Sequence, residues 1–302
     1  MSLVIKKITI RLLWGILGRQ RLVRFARMLT RAARLDGANE MGENGEMLVV
    51  ETALRHAAAT GATPVIVDCG ANVGHYVISV GQRTAALGLK AITLHAFEPA
   101  SATLATLRKN LAAQLPAMPV VVNQCALSDA ATGPRTLHIV HDNAGVNSLL
   151  PGDFSPSAYT ETVPVSTLDE YCAAAGIAAV LLLKIDTEGN DHNVLLGARG
   201  LLQRGQIELV QFEYNYRWIY ARKYLRDVFE LAATTGMKLG KVTPRGIEFY
   251  PEWHPELETF VEGNYLLCRP DWVQRFPTVV WWGQGILKSR NGVPAPAAAG
   301  KP

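Results

Sequence analysis

Apolar residues along this chain fall into short continuous runs that alternate with amphipathic stretches, most regularly from residue 64 onward. PVIVDCG (64–70), bounded by proline and glycine, predicts a buried strand. GHYVISVGQRTAALG predicts a helix, AITLHAFEP a second strand, SATLATLRKNLAAQL a second helix and PVVVNQCAL a third strand. Residues 127–179 are less regular. TLHIV and ETVPVS read as short extra strands flanking the turn-rich DNAGVNSLLPGDFSPS, and TLDEYCAAAGI reads as a short helix capped by Ser166 or Thr167. The alternation resumes with AVLLLKID as strand, DHNVLLGARGLLQRG as one helix ending at Gly205, and IELVQFEYN as strand. LRDVFELAATTG predicts a helix stopped by Gly236, and MKLGKVT and NYLLCRP close the series as strands. Wholly apolar strands alternating with helices predict a doubly wound α/β domain around a mostly parallel, seven-stranded sheet covered on both faces.

The first 40 residues differ. Ile10, Leu13, Trp14 and Leu17, then Leu22, Phe25 and Leu29, keep helical spacing on both sides of Gly18. Nine of the 30 basic residues and none of the 26 acidic ones fall in residues 1–35, so the remainder carries a net −5. LLWGILG is too short, and lacks a following A-x-A site, for a signal peptide. Two readings of this arm stand: a basic amphipathic helix on an anionic membrane surface, and a helix packed on the domain with solvated arginines. The expected organisation is a helical extension over 1–40, a catalytic domain over 41–275, and a Pro/Ala-rich, partly disordered tail over 276–302. No apolar run reaches the roughly 18 residues that span a bilayer. The expected location is cytoplasmic, with peripheral contact at the inner membrane surface through residues 1–35. A mildly acidic body argues against nucleic acid as partner. Cys69, Cys125, Cys172 and Cys268 form no C-x-x-C pair and sit mostly in strand-like runs, as buried reduced thiols do.

In open α/β sheets, ligands bind beyond the carboxyl ends of the strands. The first strand ends in Asp68-Cys69-Gly70-Ala71-Asn72-Val73-Gly74, a glycine-rich turn that lets backbone approach a ligand. It lacks the full G-x-G-x-x-G dinucleotide fingerprint, because position 72 is Asn, and the Lys-Ser/Thr of a phosphate loop. Glu98 ends the second strand, placed to accept from both hydroxyls of a ribose. Asp68 beside the turn disfavours a pyrophosphate and suits a cofactor with an amino group and a sulfonium. Ser128 and Asp129, after the third strand, are candidates for an adenine edge. The fourth strand runs into Asp186, Glu188, Asp191 and His192, and the fifth ends near Glu213. Such groups can deprotonate a hydroxyl, position a substrate or hold a divalent cation through oxygen ligands. Asp191 also suits a helix N-terminus.

These residues resemble the FkbM family of methyltransferases. The matching pieces are VDCGANVGHYVISVG, AFEPASATLATLRKNL, the LSD of 127–129, VPVSTLDEY, LLKIDTEGNDHNVLLGA and NYLLCRP, in the family's order over roughly 64–270. Many relatives have Glu where this chain has Asp191. The resemblance implies a class I, Rossmann-like methyltransferase using S-adenosylmethionine, and O-methylation of a natural product, sugar or glycolipid. It implies that Asp68, Gly70, Asn72 and Gly74 surround the methionine part of the cofactor and that Glu98 holds the ribose. Ser128 and Asp129 then lie near the adenine, and Asp186 and Glu188 face the transferred methyl. Proton acceptance is assigned to Asp186 or Glu188, with His192 as the alternative base and Glu213 as a further candidate. Acceptor contacts are expected from 141–162, from Tyr214, Tyr216 and Trp218, and from the loop 248–258 with Tyr250 and Trp253. Two rivals compete: a membrane-associated scaffold that retains the fold without turnover, and an NAD-dependent Rossmann oxidoreductase, which would need the missing phosphate-cradling loop.

Overall fold

The alternating runs build one eight-stranded sheet with helices on both faces. The computed structural model describes residues 3–35, 41–89, 91–151 and 156–280. Helix α1 (Leu3–Arg34) precedes α2 (Glu46–Thr60), β1 (Val65–Cys69), α3 (His75–Ala86), β2 (Thr93–Phe97), α4 (Ser101–Gln114) and β3 (Val120–Asn123). Then come β4 (Ala126–Leu127), β5 (Arg135–Ile139), β6 (Tyr159–Val163), β7 (Val165–Ser166), α5 (Leu168–Ala175) and β8 (Val180–Ile185). The chain continues through α6 (Asp191–Gly197), α7 (Arg199–Gln203), β9 (Ile207–Tyr214), α8 (Leu225–Thr235), β10 (Lys238–Thr243), β11 (Gly246–Tyr250) and β12 (Gly263–Cys268).

Strand order is β11-β10-β12-β9-β8-β1-β2-β3. The five strands from β9 to β3 pair in parallel, and β12, β10 and β11 add on antiparallel. All six residues of β8 are buried, which is why VLLLKI reads as an unbroken apolar run rather than an alternation. One face packs Phe212, Tyr214, Trp218 and Leu225 against α5–α8, and the other packs Val50, Leu54, Val77 and Leu107 against α2–α4.

The sheet has one strand more than the seven expected. After β10 the chain turns at Arg245 and returns as β11, with Thr243 Oγ1 donating to the Gly246 carbonyl at 2.7 Å. Residues 248–250, expected in a loop, therefore lie on a strand. Residues 119–127 do not form one strand either: Gln124 and Cys125 separate β3 from β4, and β4 pairs with β7 in a separate ladder. The 191–205 helix breaks at Ala198. Helix α2, whose Val49, Val50, Ala53, Leu54 and Ala57 face the core at helical spacing, was not anticipated.

Helix α1 runs through the predicted arm and is interrupted at Gly18, whose φ of 69° and ψ of 160° depart from the helix. Its end is tied to the body: Arg34 is buried and its carbonyl accepts from Lys241 Nζ of β10 at 3.2 Å. Cys69, Cys172 and Cys268 are buried and Cys125 is half-buried, all as free thiols. The expected tail lies outside the described residues from 281 on, while Phe276 is buried against the body.

Candidate active site

The carboxyl ends of β1, β2, β8 and β9 open on one edge of the sheet, and two clefts meet there. The first is lined at one end by Gly70, Asn72, Glu98 and Pro99 and at the other by Cys125, Ala126, Leu127, Leu137 and Leu149. That mixture of apolar wall with a few polar groups is that of small-molecule sites. The second is far more polar and includes Glu46, Glu213, Lys241, Glu262 and Asn264 in its wall. Asp186 and Glu188 line both.

The turn after β1 is shaped by close packing. Gly70 has φ 87°, and a Cβ there would lie 1.8 Å from the Asp186 carbonyl oxygen, so no other residue fits. Asn72 adopts φ 47°, and its backbone N–H donates to Glu98 Oε2 at 3.0 Å. Glu98 Oε1 accepts from the Ala100 N–H at 2.9 Å. One carboxylate thus holds the β1 and β2 turns in register and keeps further lone pairs. Burial, with no cation beside it, pushes the Glu98 carboxyl up to about 7. Asn72 Oδ1 is buried without a hydrogen-bond partner. So is Asp68 Oδ2, whose carboxyl burial pushes up to about 7 against the pull of Lys184. An orphaned buried acceptor is costly, and Asn72 Oδ1, on a residue of the first cleft's wall, fits a ligand that brings donors, such as an ammonium group or a ribose diol.

Other expected cofactor residues sit elsewhere. Asp68 is buried in β1 outside the walls of both clefts. A Cβ at Gly74 would meet Leu107 at 2.6 Å, so this glycine serves the packing of α3 on α4. Ser128 is fully buried, receives a hydrogen bond from Arg135 Nη1 at 3.0 Å, and with Asp129 lies outside the wall. Residues 144–149 of the irregular segment close the cleft, through Ala144, Gly145, Asn147, Ser148 and Leu149.

The loop after β8 carries the carboxylates. Asp191 accepts from the N–H groups of Thr187 (2.9 Å) and Gly189 (3.0 Å), so it folds the loop from beneath and is fully buried. Glu188 stands at φ 54° and pairs with Arg217 Nε at 2.9 Å. Burial first, and then Asp186, push its carboxyl up to about 8. Glu213 accepts from Asn215 Nδ2 at 3.0 Å; burial, then Asp186 and Glu188, hold it well above the usual carboxylate range. Oxygens of Asp186, Glu188 and Glu213 lie within 4.8 Å of one another.

His192 is not with them. It is buried edge-on to Trp218, outside both clefts, and burial pushes its imidazole down to about 4. Tyr214 and Trp218 are fully buried in the core and Tyr250 nearly so, so they offer no open ring to an acceptor; Tyr216 is exposed.

Lys184, Glu46, Arg217 and Lys241 were missed from the sequence. Lys184 Nζ lies 2.7 Å from Glu46 Oε1 and 3.3 Å from Asp186 Oδ2, its side chain only 3% exposed. A lone lysine inside LLLKID was the available signal, since a buried lysine demands a partner. Its partner on α2 had no local mark. Lys241 lines the second cleft, and burial pushes its amine down to about 7.

A family model described as the methyltransferase FkbM domain matches residues 68–258. The 31-O-demethyl-FK506 methyltransferase FkbM of Streptomyces tacrolimicus is 30% identical over 171 residues, 48% of this chain and 63% of that protein. The chain therefore spans under two thirds of that relative's length. Among solved structures, methyltransferase FkbM from Methylobacillus flagellatus KT aligns with a TM-score of 0.43 and 15% identity, over 68% of this chain and 43% of that one. The SAM-dependent methyltransferase from Agrobacterium tumefaciens aligns with a TM-score of 0.40 and 9% identity, over 75% and 62%. With the family model matched across the strand-end loops that build both clefts, this chain belongs to the FkbM methyltransferase family.

Proposed function

We propose that this protein is an S-adenosylmethionine-dependent methyltransferase that methylates a hydroxyl of a sugar, glycolipid or natural product. The observation that carries the reading is the position of Asp186 and Glu188 in the shared wall of two clefts, one fit for a nucleoside cofactor and one polar. The O-methylation named for the Streptomyces tacrolimicus relative supports a hydroxyl acceptor.

The cofactor supplies an activated methyl on a sulfonium. In this reading Gly70 and Asn72 bring backbone close to its amino-acid part, and Glu98 accepts from its ribose. Asp68, one residue before the turn, sets the negative field that favours an ammonium and a sulfonium. Cys125, Ala126, Leu127 and Leu137 form the apolar slot for the base, with Ser128 and Asp129 supporting it from behind. In the second cleft Asp186, held by Lys184, orients the acceptor hydroxyl. Glu188 takes its proton: a carboxyl near 8 is better matched to that task at neutral pH than one near 4. Glu213 keeps the cluster proton-rich, and His192 has no part. A divalent cation, where bound, is held by Asp186, Glu188 and Glu213, the three oxygens that approach within 4.8 Å. The acceptor is a small molecule, glycan or glycolipid, and residues 1–35 provide peripheral membrane contact. The organisation is an arm over 1–40, a catalytic domain over 41–275 and a tail over 276–302.

Calorimetric titration with S-adenosylhomocysteine tests the reading. The parent binds it and does not bind NAD; Glu98→Gln weakens it at least about tenfold, the loss of one charge-assisted hydrogen bond, and Asp68→Asn weakens it through the lost negative field. A folded parent that binds neither ligand, or binds NAD, refutes it.

A further inference from the structure

Helix α1 holds more exposed apolar surface than a helix in water needs. Val4, Ile5, Ile8, Ile10, Leu12, Trp14, Ile16, Val23, Phe25, Met28 and Leu29 are each between 44% and 75% exposed. Most follow helix periodicity, with Ile10 and Trp14 opposite the main stripe of the first half. Before Gly18, Ile5, Ile8, Leu12 and Ile16 share one stripe; after it, Leu22, Phe25 and Leu29 share another, with Arg24, Arg27 and Arg31 on the opposite side. The helix carries nine basic residues and no acidic one, while the rest of the chain is net negative. No described helix is long and apolar enough to cross a membrane.

An acidic protein partner would satisfy the charge but not apolar side chains distributed over 32 residues. An anionic bilayer surface satisfies both: the acyl boundary takes the apolar stripes, and long arginine stems reach back to the headgroup phosphates. The kink at Gly18 lets the two half-helices roll independently, so each can turn its own stripe to the same plane. The acidic body is repelled by that surface, so adhesion runs through the arm alone.

The far end of the arm is part of the active site. Arg34 is anchored through its carbonyl to Lys241 Nζ, and Leu35 lines the second cleft together with Lys241, Asp186, Glu188 and Glu213. We propose that α1 is a peripheral anchor that lies on an anionic bilayer and holds the mouth of this cleft against the lipid headgroups. The cleft then takes its acceptor from the membrane surface, as the hydroxylated headgroup of a lipid. This last step rests on the methyltransferase reading; the docking does not.

Co-sedimentation with vesicles tests the docking on the full chain. The protein pellets with vesicles containing phosphatidylglycerol and not with pure phosphatidylcholine, and high salt releases it. R24Q/R27Q/R31Q weakens partitioning by about fivefold per charge removed. Phe25→Gln weakens it as well, while both variants still bind S-adenosylhomocysteine as the parent does. Absence of pelleting with anionic vesicles, or an arm-dependent dimer in its place, overturns the proposal. For the orientation, a nitroxide on Glu43→Cys, beside Asn44 of the cleft rim, is compared with one on Ala58→Cys at the opposite end of α2. On vesicles carrying a nickel-chelating headgroup, position 43 relaxes more strongly; equal relaxation at both overturns the placement of the cleft. Failure of S-adenosylhomocysteine binding alone refutes the proposed reaction and leaves the docking intact.

Discussion

The pair Lys184–Glu46 ties helix α2 to the strand that carries the candidate catalytic loop, and its removal has a magnitude that follows from its surroundings. The two side chains are 3% and 10% exposed and 2.7 Å apart. In Lys184→Met the chain keeps its length but Glu46 is left as a buried carboxylate with neutral partners, Gln211 Nε2 at 3.0 Å and the Asn44 side chain. Asp68 loses the one cation that opposes its burial. Stranding a buried charge costs about 3–5 kcal/mol. Glu46→Gln is milder, because Lys184 keeps Asp186 at 3.3 Å and Asn264 at 3.4 Å; loss of a charged hydrogen bond costs about 1.5–3 kcal/mol. The double variant strands no Glu46 charge and should be more stable than Lys184→Met alone. Urea unfolding at pH 7 reads these differences as shifts in midpoint at constant slope. Thermal unfolding shifts by about 2–4 °C per kcal/mol for a domain of this size. Glu46 is held below its ordinary value, burial opposing and Lys184 overcoming it. Its contribution is therefore complete above the unfolded carboxylate value of 4.5 and is lost as pH falls through the lower folded one. A Lys184→Met variant no less stable than Glu46→Gln, or strictly additive effects, would refute the reasoning.

Four buried carboxylates near the strand ends have the opposite sign. Asp191, Asp68, Glu98 and Glu188 are raised to about 6, 7, 7 and 8, so the folded chain binds their protons more tightly than the unfolded one. The ligand-free protein should lose stability as pH rises from about 4 to 8, and Glu188→Gln should flatten the upper part of that slope in a melting-temperature profile. Gly70→Ala cannot fit beside the Asp186 carbonyl at φ 87°; it should abolish S-adenosylhomocysteine binding in calorimetry and lower the melting temperature. Asp191→Ala releases two loop N–H groups and should cost about 1–3 kcal/mol in urea unfolding. His192→Phe should leave cofactor affinity unchanged, because this ring faces Trp218 and not the clefts.

Much of the architecture was legible in the one-dimensional pattern, because burial on two faces of a parallel sheet forces unbroken apolar runs such as VLLLKI. The strand-end position of Gly70, Glu98, Asp186, Glu188 and Glu213 followed from the same pattern, since helix and strand boundaries locate the carboxyl edge. Gly18 was legible as the break in the arm, by its conformational freedom. What the sequence could not hold was the identity of partners far apart in the chain. Only tertiary packing decided that His192, one residue from Asp191, turns into the core, because successive helical residues point about 100° apart. It also decided that Tyr214 and Trp218 fill the interior instead of presenting open rings. The edge strand β11 depends on a hairpin whose register is set by β10. Lys184 finds Glu46 across 138 residues, and Lys241 finds Arg34 across 207. Local composition determines elements; the charges buried between those elements are paired by the fold.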